Sequence, residues 1–372
     1  MTKKLRYGIV GCGVIGPIHA EAMQSLSQEA ELIAMVDIVP EKAEKLAIKY
    51  HAKPYYSLQE MLDREDLDLV SICTPSGMHG EHACQAMRAG CHVIVEKPME
   101  ITHERIEEML CVQQETGRKL AVISQHRFEE GIGQLRALVE QQAFGRLVLA
   151  SAAIPWWRSQ QYYDSGAWRG TWALDGGGIL MNQSIHTIDL LQWLMGPVKS
   201  ISAYTDTLVH TIETEDVAVA ILRFASGALG TIAASTGAYP GVTTRIEIFG
   251  DQGSAILEKG RLSHLRLARD DKEEIDAYGG GPKKRQQDRV ENKSAATAQD
   301  PTAVLVALHA TQIADMLRAI REDRTPLVDG YAARRPVEII LGIYESARTG
   351  KEISLAWRMK TEYVPNTVVV TE

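Results

Sequence analysis

The sequence predicts an α/β protein in two parts: a doubly wound parallel sheet, followed by an α+β region with a large, mostly antiparallel open sheet. Short apolar runs alternate with helix-length segments at first, and consecutive strand-like runs with few helices follow. The chain of 372 residues is also long for a single core. These observations predict a first domain at 1–123, a second at 124–358 and a C-terminal arm at 359–372.

Five apolar runs predict the strands of the first domain. Each is short and bounded by polar or turn residues, as expected for strands that are buried on both faces of a parallel sheet. Helix signals lie between them: Pro40 suits a first turn, Ser57 and Glu60 form a capping-box pair, and Gly90 suits a C-cap. The runs are "LRYGIVGCG", "ELIAMVD", "LDLVSICTP", "CHVIVEKP" and "RKLAVIS".

The second domain is predicted to begin with a helix near 131–142 and to end with two helices near 303–322 and 330–349. The polar, glycine-interrupted stretch 270–301 predicts a mobile surface loop. Five runs with strand character predict the antiparallel sheet. They are "RLVLASAAIP", "VKSISAYTD", "EDVAVAILRF", "ALGTIAAST" and "TTRIEIFG".

Composition excludes several classes of function. A net charge of −8 and a pI near 5.8 argue against nucleic acid as the main partner. No apolar run approaches the roughly 20 residues that cross a bilayer, and the N-terminus runs into a glycine loop instead of a cleavage site. Five cysteines without a C-x-x-C motif fit a reduced, cytoplasmic compartment.

A G-x-G-x-x-G motif directly follows the first predicted strand. Its first glycine permits a tight turn, the second lets a pyrophosphate approach the backbone, and the third allows close packing of helix on strand. The N–H groups of the following helix then face the phosphates. The predicted dinucleotide contacts in this loop are Gly11, Gly13, Val14, Ile15 and Gly16.

Asp37 ends the second predicted strand, where a carboxylate can accept hydrogen bonds from both ribose hydroxyls. A 2′-phosphate would meet this carboxylate, and the neighbours Ile38 and Val39 offer no cation, so NAD is favoured over NADP. The alternative is that Asp37 only caps the next helix.

Further candidate cofactor contacts follow later strands, at the carboxyl edge of the sheet where ligands bind in open α/β folds. Thr74 and Pro75 are two, and His79 either contacts the cofactor or opens a helix. His79 and His82 could suggest a metal site, but the sequence has no third ligand nearby, so we predict no metal.

The tripeptide E-K-P ends the last-but-one strand of the first domain, so Glu96 and Lys97 also lie at this edge. A lysine at the mouth of a nicotinamide site can bond a substrate hydroxyl and stabilise an alkoxide there. The alternative is an exposed lysine in a loop.

The stretch "GGGILMNQSIHTID" places Asn182, His186 and Asp189 at helical spacing after three glycines. On one helix the three side chains would project from one face. This predicts a site helix, with glycines that let the backbone approach cofactor and substrate. The alternative is a loop followed by an amphipathic helix whose polar side faces water.

The segment 156–172 contains four of the six tryptophans. Its aromatic residues either pack in the core and at an interface, or they form a sugar pocket. In such a pocket flat rings cover pyranose C–H groups, while Arg and Tyr side chains bond hydroxyls. The two arginines would also suit a substrate carboxylate. The candidate substrate residues here are Trp157, Arg158, Tyr163, Trp168 and Arg169.

Together, the glycine motif, the aspartate after strand two, E-K-P and the glycine-rich segment leading to H-x-x-D resemble the Gfo/Idh/MocA family of sugar and inositol oxidoreductases. The resemblance implies a Rossmann domain, a second domain whose open sheet often forms oligomer contacts, and a nicotinamide between them. It also implies that Lys97 and His186 are the catalytic pair. Family members such as inositol dehydrogenases usually carry aspartate four positions before the histidine, where this chain has Asn182.

Asparagine cannot take a proton at neutral pH, so base duty would fall on His186, with Asn182 orienting a substrate hydroxyl. Asp189 would orient the imidazole or lie on the helix surface. We therefore predict an NAD-dependent oxidoreductase acting on a CH–OH group of a pyranose sugar, a sugar derivative or a cyclitol, and assembling as a homodimer or homotetramer. The alternatives are an NAD-dependent glycoside hydrolase and a catalytically silent, sugar-binding regulator.

Overall fold

The structure is a computed structural model that describes residues 3–258, 260–270 and 301–355. The predicted loop at 270–301, except for its two end residues, and the predicted arm at 359–372 lie outside the described residues.

The N-terminal part is a six-stranded parallel sheet with strand order β3-β2-β1-β4-β5-β6. The five predicted runs form strands here, and the short β3 is an additional strand that the apolar pattern did not indicate. The strands are β1 (Leu5–Val10), β2 (Ala30–Val36), β3 (Lys53–Tyr55), β4 (Leu69–Ile72), β5 (His92–Val95) and β6 (Leu120–Val122). The helices between and after them are α1 (Gly16–Ser25), α2 (Pro40–Tyr50), α3 (Leu58–Arg64), α4 (His79–Arg88) and α5 (His103–Thr116).

Both faces of this sheet are covered, which explains the uninterrupted apolar runs. Within β5, Val93 and Val95 belong to a core shared with α4 and α5, whereas Ile94 faces a second core formed with α1. The predicted end signals are present: Pro40 opens α2, and the Ser57 hydroxyl accepts from the backbone N–H of Glu60.

Among the described residues, the second sheet has eight strands in the order β13-β12-β11-β7-β10-β9-β8-β14, and of their pairings only β7–β10 is parallel. Side chains of β9 and β10 alternate between buried and exposed, so one face packs on helices and the other is open. The strands are β7 (Leu147–Pro155), β8 (Val198–Asp206), β9 (Val217–Phe224), β10 (Leu229–Ser235), β11 (Arg245–Gly250), β12 (Gly253–Glu258), β13 (Arg261–Leu267) and β14 (Ile353–Ser354).

The predicted helices of the second part are present, and one of them returns to the first sheet. The predicted ones are α6 (Glu130–Glu140), α8 (Ile185–Met195), α9 (Pro301–Arg321) and α10 (Gly330–Thr349), and the short α7 (Gln160–Asp164) is an additional helix that was not predicted. Residues Ile313, Met316 and Leu317 of α9 are fully buried in the core that also contains α1. Helix α9, which belongs to the predicted region 124–358, therefore packs into the core of the predicted region 1–123.

By length and composition alone, the part of α9 at Thr302–Arg321 is long and apolar enough to cross a membrane, with a mean hydropathy of 1.4. This differs from the sequence-based expectation that no such run exists. Its packing against α1 accounts for the apolar face, since a core helix of a globular protein passes the same test.

Candidate active site

The glycine loop after β1 has the geometry that a dinucleotide needs. Gly11 has a φ of +102°, and a Cβ there would lie 2.4 Å from the carbonyl oxygen of Cys73. A Cβ on Gly16 would lie 2.3 Å from the Gly11 carbonyl oxygen, whereas one on Gly13 would meet no protein atom within 4 Å. The first turn of α1 has no side-chain cap. The loop therefore leaves open space at Gly13 and donors at the start of α1, as a pyrophosphate requires.

Asp37 is held at the end of β2 by two backbone N–H groups. Its carboxylate accepts from Cys12 in the glycine loop at 2.8 Å and from Val39 at 2.9 Å. Val39 is the N-cap residue of α2, and no side chain caps that helix directly. The carboxylate is thus fixed beside the loop, where it suits the ribose hydroxyls of NAD.

His79 lies behind the edge of the sheet. The side chain is 1% exposed, and its ring nitrogens bond the carbonyl oxygens of Pro98 at 2.7 Å and Thr74 at 2.8 Å. Burial lowers the pKa of His79, so the neutral ring donates to one of these carbonyl oxygens and lies against the other. His79 thereby ties the loop containing Thr74 and Pro75 to the E-K-P loop. It also opens α4, which was one of the two predicted roles. His82 supports the same loop through the Thr74 hydroxyl at 3.2 Å.

Glu96 is also buried, and both of its carboxylate oxygens are engaged. Oε1 bonds His19 at 3.0 Å and His309 at 3.2 Å, while Oε2 accepts from the backbone N–H of Lys97 at 3.1 Å. Burial raises the pKa of Glu96, but the hydrogen bonds from the two histidines outweigh it and hold the pKa well below its usual range. Glu96 therefore positions Lys97, a correction to its predicted contact with the cofactor.

The ligating atoms of His19, Glu96 and His309 lie within 4.8 Å of one another, close enough to hold a metal ion. Hydrogen bonds account for the cluster without one. His309 Nδ1 donates to the Leu305 carbonyl at 2.8 Å, and His19 Nδ1 bonds the Ser71 hydroxyl at 2.9 Å. The cluster joins α1, the end of β5 and α9, next to Lys97 in the sequence.

Lys97 and His186 share one small internal cavity, although 89 positions separate them in the sequence (186 − 97 = 89). Lys97 Nζ donates to the backbone carbonyl of Asn182 at 2.8 Å. Burial lowers the pKa of Lys97, and the nearby carboxylates of Glu96 and Asp175 oppose this shift. The two predicted catalytic side chains thus converge.

The predicted single helix is a π-helix, Ile179–Ser184, that continues into α8. Asn182 lies in the π segment and His186 in the first turn of α8, so they do not follow one regular α-helical face. Such π segments are frequent at functional sites. Sequence spacing could not reveal this irregularity.

Asp189 does not reach His186, and it is not on the helix surface. Its side chain is buried and accepts from Arg127 Nε at 2.7 Å, with further hydrogen bonds from Arg127 Nη2 and the Ser124 hydroxyl. Both predicted roles of Asp189 are therefore wrong: it anchors α8 to the segment that follows β6.

The neighbour of the His186 ring is His126, whose ring centroid lies 5.0 Å away in an edge-on arrangement. Burial lowers the pKa of His186 well below its ordinary value, and His126 and Lys97 add to the effect. His186 is accordingly a neutral imidazole near pH 7, the form that can accept a proton. His126 bonds the Glu129 carboxylate.

The glycines at 176–178 pack closely against other parts of the protein on the side where a Cβ would lie. Cβ atoms at these three positions would lie 2.2 Å from Ile101, 2.0 Å from the Tyr344 hydroxyl and 1.7 Å from the Glu215 carbonyl oxygen. The segment thus fits only without side chains. It is a junction where the E-K-P side, α10 and the second sheet meet.

The start of the π-helix is held by a buried carboxylate that sequence reasoning missed. Glu215 accepts from the backbone N–H groups of Gly178 and Leu180, each at 2.9 Å, and from the Tyr344 hydroxyl at 2.9 Å. Burial raises the pKa of Glu215 to about 7. Its proton equilibrium therefore falls near physiological pH.

Asp175 is a second missed carboxylate, directly before the glycines. It is 2% exposed and accepts from Asn182 Nδ2 at 2.7 Å and from the Gly170 N–H at 2.9 Å. Burial raises the pKa of Asp175, while Lys97 and Arg169 lower it. One N–H of the Asn182 amide is committed to Asp175, so Asn182 presents its oxygen and its second N–H elsewhere. A single acidic residue inside "TWALDGGGILM" was the available signal.

A cavity of about 170 Å³ adjoins His186 on the side of the second sheet. From the tryptophan-rich segment only Trp156 lines it. Gln183 also lines it, and the Gln183 Oε1 is buried without a hydrogen-bond partner among the described residues. The remaining lining residues are His126, Ile132, Thr187, Leu190, Thr244, Ile246, Leu257 and Gly260.

Arg158 and Arg169 flank Tyr162 with their guanidinium groups over aromatic rings. Arg158 lies 4.9 Å from the Trp156 ring centroid, and Arg169 lies 4.4 Å from that of Tyr162 and 4.6 Å from that of Trp168. Arg169 also donates to the Tyr162 hydroxyl at 2.7 Å. This cluster is held together by cation–π contacts and is connected to the cavity through Trp156.

Two of the predicted substrate residues are engaged elsewhere. Trp157 packs edge-on against Tyr239 with a centroid separation of 5.6 Å. Tyr163 is buried, and its hydroxyl bonds the Thr236 hydroxyl at 2.9 Å. Neither of them lines the cavity beside His186, which corrects their predicted role.

A doubly wound sheet with a glycine phosphate loop, joined to an open sheet across a lysine–histidine site, defines a dinucleotide-dependent oxidoreductase. The family model described as "Oxidoreductase family, NAD-binding Rossmann fold" matches residues 5–124, and the model for the GFO/IDH/MocA C-terminal domain matches residues 132–256. The chain belongs to the Gfo/Idh/MocA oxidoreductase family.

Three similar proteins of known name support the assignment to this family. The WlbA dehydrogenase from Bordetella pertussis, solved in complex with NADH and UDP-GlcNAcA, is 33% identical, with a TM-score of 0.82 over 95% of this chain and 99% of that one. Inositol 2-dehydrogenase of Rhizobium meliloti is 28% identical over 72% of this chain and 79% of its own. D-glucoside 3-dehydrogenase of Escherichia coli is 33% identical over 56% and 60%.

Proposed function

We propose that this oxidoreductase uses NAD to oxidise a secondary alcohol of a pyranose sugar, a sugar derivative or a cyclitol, or to reduce the matching ketone. The observation that carries the proposal is that Lys97 and His186 line one cavity. NAD, when bound, accepts the hydride of the carbinol carbon. The loop at Gly11–Gly16 and Asp37 have the geometry to hold it.

The chain's own groups supply the proton chemistry. The neutral His186 imidazole takes the proton of the substrate hydroxyl. Lys97 donates a hydrogen bond to the same oxygen and stabilises the negative charge that develops there. Glu96 fixes the Lys97 backbone, and the oxygen of Asn182 accepts from a neighbouring hydroxyl. In the reducing direction the proton passes from His186 back to the substrate oxygen.

The substrate class rests on the relatives and on the lining of the site. Relatives include dehydrogenases of inositol and of D-glucosides, and a dehydrogenase solved in complex with the sugar nucleotide UDP-GlcNAcA. Trp156 offers an aromatic face to sugar C–H groups, and Arg158, whose guanidinium lies 4.9 Å from the Trp156 ring centroid, would suit a substrate carboxylate that extends beyond the cavity. An acidic sugar is therefore included among the candidates.

The test is a screen of cyclitols, hexoses, uronates, glycosides and sugar nucleotides, with NADH absorbance as the readout. Net formation of NADH on a sugar or cyclitol is expected. Hydrolysis of a glycoside without net NADH would instead identify the hydrolase. Binding of sugar without either reaction would identify the regulator.

We further propose that the open face of the second sheet joins copies of this chain. Apolar side chains are exposed along it, among them Tyr204 (83%), Ile221 (59%) and Val219 (50%). Sedimentation of the protein and of Ile221→Lys tests this. We expect a dimer or tetramer that dissociates in the variant, and a monomeric wild type would contradict the proposal.

We infer a cytoplasmic location. All five cysteines are free, and four are buried as small apolar residues, which suits a reducing compartment. Quantitative thiol labelling of the protein from its native host would detect disulfides if this is wrong.

A further inference from the structure

The cavity beside His186 has a composition that a plain polyol does not explain. Its long wall is aliphatic, formed by Ile132 of α6, Leu190 of α8, Ile246 of β11 and Leu257 of β12. Hydroxyl groups gain nothing from such a wall, because each would lose its hydrogen bonds to water without replacement. The wall favours a methyl-bearing group.

One polar side chain in the cavity lacks a full set of partners. Gln183 is 5% exposed, and its Nε2 donates to the Tyr162 hydroxyl at 3.3 Å, while its Oε1 has no partner among the described residues. A buried, unsatisfied amide oxygen costs roughly 1–3 kcal/mol. Unlike the other buried unpaired side-chain atoms of the described residues, this one belongs to a residue that lines the cavity beside His186, where a bound ligand would complete it. The missing partner is an N–H or O–H donor.

The cavity adjoins the reacting centre. His186 lines both this cavity and the small one that it shares with Lys97. A substituent in the larger cavity would therefore lie beside His186, the proposed base. Its volume of about 170 Å³ exceeds the roughly 30 Å³ share of one liquid water severalfold. There is room for a group of several heavy atoms.

We propose that this cavity binds an acetamido group carried by the sugar, with its amide paired to Gln183 and its methyl against the aliphatic wall. An acetamido group has an N–H donor and a carbonyl acceptor, so it satisfies the Gln183 amide in either orientation of that side chain. The proposal rests on the proposed function, which it narrows from sugars in general to N-acetylated amino sugars.

Two matched probe pairs test the proposal: UDP-GlcNAcA against UDP-glucuronic acid, and N-acetylglucosamine against glucose. Affinities are measured by calorimetry on protein saturated with NADH, so the readout needs no turnover. In at least one pair we expect the affinity for the acetamido sugar to be higher by about tenfold or more. One buried apolar group typically provides discrimination of this size. Equal affinities within both pairs, or no binding by either acetamido sugar, would overturn the proposal.

Two variants locate the effect. Gln183→Leu removes the amide at nearly constant size, and Ile246→Phe fills the cavity; each should lower the acetamido preference about tenfold. Ile48→Phe, on the exposed side of α2, is the matched control and should leave it unchanged. Thermal unfolding shows whether each variant is folded. An unchanged preference in folded Gln183→Leu would also overturn the proposal.

The failure of the two proposals can be told apart. Preferential binding of the acetamido sugar without NAD reduction by any probe would leave the cavity assignment standing and contradict the dehydrogenase. Turnover of sugars without any acetamido preference would do the opposite.

Discussion

The cofactor edge and the substrate region of this protein are built by different means. At the cofactor edge, backbone groups and single residues follow individual strand ends, as Gly11 follows β1 and Asp37 follows β2. In the substrate region, Lys97 follows β5, whereas Asp175, Asn182 and His186 lie on one later segment, and the four depend on one another's hydrogen bonds and charges. The first kind of site is local and tolerant. The second is a buried polar network, in which each loss leaves another group unpaired.

The largest effect that this comparison predicts is at the catalytic pair. His186→Ala should lower turnover about 10²–10⁴-fold, as the loss of a general base does, and Lys97→Ala at least as much. NAD affinity should change little, because the cofactor edge is built separately. Kinetics on the identified substrate and calorimetry with NAD are the measurements.

Lys45→Ala on the exposed side of α2 is the control for a lost lysine. Near wild-type turnover by His186→Ala combined with a collapse of NAD binding would show that the two regions are not separable, and that His186 serves the cofactor.

The Asp175–Asn182 pair gives the next largest effect. Asp175→Asn and Asn182→Asp should each lower kcat/KM about 10–100-fold, since each disrupts a hydrogen bond to a charged group. Asn182→Asp should also lose activity as pH rises, because two adjacent carboxylates cannot both ionise without repulsion. The double exchange Asp175→Asn with Asn182→Asp restores one amide–carboxylate pair and should recover part of the loss.

A double-mutant cycle in kcat/KM and in the free energy of unfolding measures this coupling, which we expect to be about 0.5–3 kcal/mol. Strictly additive losses in both quantities would show that the pair does not act as a unit.

Two glycines sharpen the comparison through stability. Gly178→Ala should destabilise the protein by about 1–3 kcal/mol, since its Cβ would overlap the Glu215 carbonyl and force backbone to move. Gly13→Ala should leave stability unchanged and weaken NAD binding, because its Cβ enters only the space that the pyrophosphate approaches. Thermal unfolding and NAD calorimetry separate the two. Equal destabilisation by both would remove the distinction.

Cofactor choice should respond to one local exchange. Asp37→Ser with Ile38→Arg should shift the NAD-to-NADP affinity ratio about tenfold or more toward NADP, as it removes a carboxylate and adds a cation near the 2′-position. The double substitution Glu41→Ser with Lys42→Arg, on exposed positions of α2, is the control. Comparable affinities of the wild type for both cofactors would contradict the assigned role of Asp37.

The smallest effect concerns pH and Glu215. Its pKa in the folded protein is about 7, above the ordinary value of 4.5, so the folded state binds the proton more tightly than the unfolded state. Stability from this group is therefore complete below about pH 4.5 and is lost as pH rises through 7, with a slope of at most about 1 kcal/mol per pH unit. Glu215→Gln should lack this component. Denaturant unfolding of both proteins from pH 5 to 8 measures the difference, and parallel profiles would refute it.

The sequence by itself predicted the two-sheet architecture, with five strands of each sheet, and the glycine loop after β1; the strands β3, β12, β13 and β14 were missed. It also singled out Asp37, Lys97 and His186 as candidates. Each of these depends on a local pattern: strand periodicity, a fixed turn geometry or a residue at a strand end. Even the antiparallel strands from β7 to β11 followed from alternation and turn residues.

Only the tertiary structure decided which polar groups meet. Glu215 and Gln183 carry no local signal, and Asp175 has only its position before the glycines, yet burial gives each a partner or an unpaired atom near Asn182. Asp189 follows His186 at helical spacing, yet it bonds Arg127 because α8 begins from a π-helix and packs on the segment after β6. Side-chain networks arise between elements distant in sequence, and no local periodicity encodes which elements pack together.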